Sequence, residues 1–334
     1  MTGGDSPDEE ETGENQSLHP DKVEERFRDA LDHAQSGAPA AGAAVRDWFS
    51  TDEIFQRVVA TAEEEIDSSS RELFYSGLAA GFAITLTFLG HAAVAAAVPG
   101  EPTGLLAATL YPIGFLFIVM GRYQLFTENT LPPVTLVLTR IASLPLLLRL
   151  WMIVLVGNVL GATMGALVLA KTGVFTPEST RLAVEFGLEA VETPWWDLFF
   201  KAIFAGWLVA GMVWLNHATR DSTARLLLIY GIIYMIPATG LHHVVVTSCE
   251  AMYLVFSDAA SLAAVTVDLF LPVLLGNTIG GVVLVALLNY AQTRERRFPK
   301  QQEREAQLTR SEWLFGSLAG RSRVPPATEA PHSE

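Results

Sequence analysis

Apolar residues in this chain are gathered into long runs rather than spread at amphipathic spacing. Six runs stand out, at about 73–98, 104–126, 143–170, 197–216, 224–242 and 265–291. Each is close to the ~20 residues that a helix needs to cross the hydrocarbon of a bilayer. Two of them are interrupted by polar residues. "GRYQLFTENTLPP" (121–133) closes the second and sets Arg122, Gln124, Thr127, Glu128 and Asn129 before two prolines. "GLHHVVVTSCE" (240–250) closes the fifth and carries His242, His243 and Glu250 behind a nearly uncharged stretch. A charge at the bilayer centre costs at least ~2.5 kcal/mol, and irregular backbone is tolerated there only where it lines a cavity or is buried in protein. The pattern therefore predicts interior breaks, not lipid-facing ones.

The two halves of the apolar region repeat each other. "GNVLGATMGA" (157–166) in the third run matches "GNTIGGVVLV" (276–285) in the sixth, and a break precedes each by about thirty residues. Three spans repeated as three spans have opposite membrane orientation, which is the pattern of an inverted repeat with interrupted helices at matching positions. The predicted fold is an all-α membrane protein of six transmembrane helices, with an inverted 3+3 repeat whose second and fifth helices are broken. Small residues four apart in the third and sixth runs suit close helix contact.

Around this body the sequence divides into a polar, acidic segment at 1–49, expected to be disordered, an amphipathic surface helix at 50–70, the six-helix transmembrane domain at 71–292 and a cytoplasmic tail at 293–334. Ser50 and Glu53 have capping-box spacing, and Ile54, Val58 and Ile66 form a partial apolar stripe. Either an amphipathic helix at the membrane surface or a short solvated helix fits that stripe.

Basic residues orient the spans. Arg140 and Arg149, Arg220 and Arg225, and then Arg294, Arg296, Arg297 and Lys300 fall on one side, which puts both termini in the cytoplasm of a cell-membrane protein. Overall, the chain is 50% hydrophobic and 17% charged, with a mean hydropathy of +0.33. Its net charge of −14 is uneven: residues 1–72 contribute −13 of it. That balance argues against nucleic acid as a partner. With Cys249 the only cysteine, an internal disulfide and a Cys-based zinc finger are excluded.

"QLFT", "GNVLGA", "GLHHVVV" and "LPVLLGNTIGG", with "SGLAAGFAI" (76–84) opening the first span, together resemble the formate/nitrite transporter family over roughly residues 50–292. The resemblance implies an aquaporin-like protomer within a homopentamer, each subunit carrying its own pore for small monovalent anions of weak acids and, in the usual account, a proton. It sets the pore histidine on His243, with His242 exchanging for it on a one-residue slip. The loop threonine falls on Thr127 and an apolar constriction on Leu125 and Phe126. No cofactor and no metal are implied.

Departures from the family stand beside the matches. Glu128 replaces a glycine, His242 replaces a common glutamate, and the fourth-span asparagine falls on Gly206. The anion-attracting lysine has no counterpart in 172–200, and Lys201 lies about ten positions late. Arg122, Glu128 and Glu250 are additional charges, with Arg122 expected to brace Glu128 or Glu250 or, on the other reading, to attract the anion. Other classes of function are a non-transporting scaffold built on the acidic segment, a pH-independent channel for neutral solutes, and a metal-dependent hydrolase using His242, His243 and Glu250. The adjacent histidines lack the i, i+4 geometry of HExxH, which weighs against the hydrolase.

Overall fold

The computed structural model describes residues 49–98, 104–294 and 307–316. The segment expected to be disordered lies almost wholly outside them. Among the described residues the chain is helical throughout, without a strand.

Helix α1 (Thr51–Asp67) starts where Ser50 accepts from the Glu53 amide at 3.2 Å and the Glu53 carboxylate takes the Ser50 amide at 2.6 Å. This reciprocal capping satisfies donors that a helix start leaves open. Its apolar face, Phe55, Val58, Val59 and Ala62, is fully buried, with Phe55 edge-tilted on Tyr290. That face meets protein, chiefly α4 (Pro132–Leu138), the helix that restarts after the break in the second run.

Among the described residues four helices are long and apolar enough to cross a membrane: α2 (Ser70–Ala97), α5 (Leu144–Lys171), α7 (Trp195–His217) and α10 (Leu262–Gln292). Runs two and five appear as shorter pieces. The second is a helix ending in α3 (Pro112–Gly121), then irregular backbone and a 3₁₀ turn at Glu128–Thr130, then α4. The fifth is α8 (Ser222–Ala238), a short break, and α9 (Val244–Phe256). Prolines explain the first restart: Pro132 and Pro133 open α4, where the missing N–H groups have no helical partner to lose.

Packing follows the repeat. In the first half α2 lies along α5, and in the second α7 lies along α10, with backbones in contact. A Cβ on Gly81 would stand 2.0 Å from the Asn158 carbonyl oxygen, and one on Gly206 2.2 Å from that of Asn277. The two glycines occupy matching places at matching asparagines.

Three features were not evident from the hydropathy pattern. The acidic 172–196 stretch contains α6 (Pro177–Glu192), which Thr176 caps and which buries Leu182 and Ala183. Helix α10 widens into π-turns at Val265–Phe270 and Val282–Leu287. Beyond it, α11 (Arg310–Phe315) docks back: the Trp313 indole donates to the Val137 carbonyl at 2.8 Å, and the Leu308 amide to that of Arg140 at 3.0 Å.

Candidate functional site

Each break is held open by one asparagine. Asn158 on α5 accepts from the Phe126 amide at 2.8 Å and donates to the carbonyls of Gly77 and Gln124 at 2.8 and 2.9 Å. Asn277 on α10 accepts from the Val244 amide at 2.8 Å and donates to the carbonyls of Ala202 and His242 at 2.8 and 3.0 Å. Both are fully buried. A side-chain amide offers both donors and an acceptor, so one residue satisfies the backbone groups that a broken helix frees and ties them to the neighbouring span. The G-N-x-x-G repeat contained this signal, since the same residue recurs 32 residues after the first break's Phe126 and 33 after the second's Val244.

The breaks meet at a hydrogen bond between Thr127 Oγ1 and His243 Nε2, 2.7 Å long and buried. The Thr130 hydroxyl donates to the Thr127 carbonyl at 2.7 Å, which steadies the threonine from behind. Phe115 lies edge-on to the His243 ring at 4.9 Å. The other imidazole nitrogen, Nδ1, is buried without a partner. Leu125 and Phe126 are buried beside this pair, and Phe126 stands T-shaped on Trp151 at 5.7 Å.

Two cavities flank these residues. One of about 760 Å³ is bounded by α1, the first break and the C-terminal end of α7, with Gln124, Glu128 and His217 in its wall. The other, of about 270 Å³, lies toward the opposite end of α7 and includes His91, Lys201, His242, His243 and Glu250. Leu125, Phe126 and Thr127 line neither cavity, whereas their neighbours Gln124 and Glu128 line the larger one and His243, the partner of Thr127, lines the smaller.

Several placements differ from expectation. Arg122 braces neither Glu128 nor Glu250. It takes a left-handed conformation at φ 57° as it caps α3, and its guanidinium meets Glu64 of α1 at 3.1 Å. The partners are 80% and 72% exposed, so the pair is a solvated link between elements, not a buried brace. Glu250 lies beyond reach in the second cavity. Position 206 has no room for an asparagine, because its Cβ would collide with Asn277. Lys201, though late in sequence, reaches the same cavity as both histidines. His242 contributes its backbone carbonyl to the Asn277 clamp, while only the His243 ring bonds Thr127. Among the described residues, no group of three or more His, Cys, Asp or Glu is arranged to hold a metal ion.

Comparison with known proteins agrees with this architecture. The formate/nitrite transporter family model matches residues 52–291. The inner membrane protein YfdC of Escherichia coli K12 is 32% identical over 244 residues, covering 72% of this chain and 78% of that protein. An FNT family ion channel superposes with a TM-score of 0.67 at 24% identity, over 72% of this chain and 99% of that one. A pentameric formate channel with formate bound gives 0.57 at 19% identity, over 66% and 96%. With an α-helical body, matching broken helices and a family match across that whole body, this multi-pass membrane chain belongs to the formate/nitrite transporter family, which consists of channels and transporters rather than enzymes.

Proposed function

We propose that the chain carries formate, nitrite or a similar small weak-acid anion across the cell membrane together with a proton, passing between the two cavities at Thr127 and His243. The observation that carries this reading is the buried Thr127–His243 bond, which leaves the second imidazole nitrogen without a partner on a residue that lines the smaller cavity. A neutral imidazole presents one donor and one acceptor. With Nε2 engaged by the threonine, Nδ1 is free to bond a passing solute, and the exchange of a proton there converts an anion into its neutral acid. Leu125 and Phe126 supply an apolar gate that favours that neutral form, since burying an unpaired charge is far costlier than burying an acid. On the other side of the gate, Lys201 draws anions into the smaller cavity in place of the lysine that residues 172–200 lack.

Six crossings are proposed by counting each broken pair as one, and the arginines between spans support cytoplasmic termini. A homopentamer is proposed by analogy with the pentameric formate channel that shares the fold.

The test is flux into liposomes. Formate, nitrite, acetate, lactate and hydrosulfide are offered to the purified protein, with a pH-sensitive dye trapped inside. Proton entry accompanying the anion supports the reading, and His243→Ala is expected to abolish that accompaniment. Anion entry with no proton movement in wild type overturns proton coupling. Flux of water or glycerol alone, independent of pH, favours a neutral-solute channel instead.

A further inference from the structure

The larger cavity contains carboxyl groups that the proposed pathway does not use. Glu65 projects from α1 and Glu128 from the first break, and both line it. Gln124 lines the same wall. Its carbonyl accepts from Asn129 Nδ2 at 2.7 Å, and its side chain bonds Glu65. Glu65 Oε2 is nevertheless buried with no partner. Asn216 Oδ1 and Arg225 Nε, in the same wall, are also buried without partners. Three polar atoms in the wall of one cavity are thus left buried without partners, an unusual concentration.

We propose that Glu65 and Glu128, which share this wall, form a proton-operated barrier at the mouth beside α1: neutral when protonated, and repelling anions from the first break when ionised. The proposal rests on the anion-transport reading above. Two carboxylates confined together resist full ionisation, because each negative charge disfavours the other. An anion between this cavity and Thr127 passes Gln124 and Glu128, which flank the gate residues in sequence.

Burial of its carboxyl pushes Glu65 up to about 8, with Glu64 adding to the rise and Gln124 and Arg122 opposing it. The mouth's other ionisable groups are Arg57 on α1, Tyr123 after α3, His217 ending α7 and Arg225 on α8. Of these, Arg57 is itself lowered, by burial first and then by the neighbouring arginines. The cations occupy the wall, yet they leave Oε2 of Glu65 unpaired. The barrier is therefore open below about 8 and closes as pH on that face rises through it.

The experiment measures [¹⁴C]formate exchange in right-side-out and inside-out membrane vesicles, so that each face is titrated separately. Wild type is expected to lose roughly tenfold of its exchange as the α1 face goes from about pH 6.5 to about pH 9.5. Glu65→Gln and Glu128→Gln, which keep shape and remove charge, are expected to flatten this step and to leave the response of the other face unchanged. Exchange in both variants that retains the wild-type step on the α1 face overturns the barrier while leaving transport intact. Wild-type protein that exchanges no formate at any pH overturns the transport reading for that anion, and with it this inference. If a single variant assembles poorly, the double Gln variant, checked as an intact oligomer, decides by the same titration.

Discussion

The two breaks are built alike and equipped differently. Both are held by one buried asparagine through three hydrogen bonds, and each rests on a span pair in glycine contact. Yet the first runs from Arg122 through the 3₁₀ turn to Leu131, with Gln124, Thr127 and Glu128 exposed in turn to the larger cavity or to His243. The second spans only Thr239–His243 and brings two imidazoles to the smaller cavity. Symmetry is thus retained where backbone must be satisfied inside a membrane, because unpaired amides there are costly whatever the cargo. It is abandoned in the side chains that face the two cavities, which bring carboxyls to one and imidazoles to the other.

The largest expected effect tests the shared part. Asn158→Ala and Asn277→Ala each strand buried backbone groups, at about 1–3 kcal/mol per unsatisfied group. Both are expected to lower the melting temperature of the purified protein strongly and to a similar degree. A large cost at one clamp with none at the other breaks the equivalence. Next come Gly81→Ala and Gly206→Ala, where overpacking costs about 1–3 kcal/mol. Gly211→Ala, with nothing within 4 Å of its Cβ, serves as the control and is expected to be neutral in the same melt.

Smaller effects fall on the unlike part. Thr127→Val keeps the shape of the threonine and removes the bond to His243, worth about 1 kcal/mol. Stability is expected to change little, whereas formate flux in liposomes falls severalfold as the imidazole loses its orientation. The smallest effect belongs to Arg122→Gln. Its pair with Glu64 is exposed, and such pairs contribute about 0–1 kcal/mol, so oligomer yield and melting temperature should hold within error. Loss of assembly would restore Arg122 as a brace and make the first break structurally unlike the second.

Several features were legible before any fold was known, and for a common reason. The apolar runs, the breaks at Arg122–Asn129 and after Thr239, the Ser50 cap and the repeated G-N-x-x-G are all local in sequence. Placement of Arg122 against Glu64 was not legible, because it depends on how α1 folds over the first break, across 58 residues. The helix in 172–196 was hidden by its charge, since only its buried side is apolar.

Sequence by itself determined the membrane-borne helical body, the internal repeat and the positions of the two breaks, because hydropathy and backbone satisfaction act over single spans. Tertiary structure decided what those breaks enclose. It set Thr127 against His243 across 116 residues, brought Lys201 to the histidine cavity and gathered Glu65 with Glu128. Such meetings depend on which spans lie side by side, and that is settled by glycine contacts and asparagine clamps whose partners are far apart along the chain.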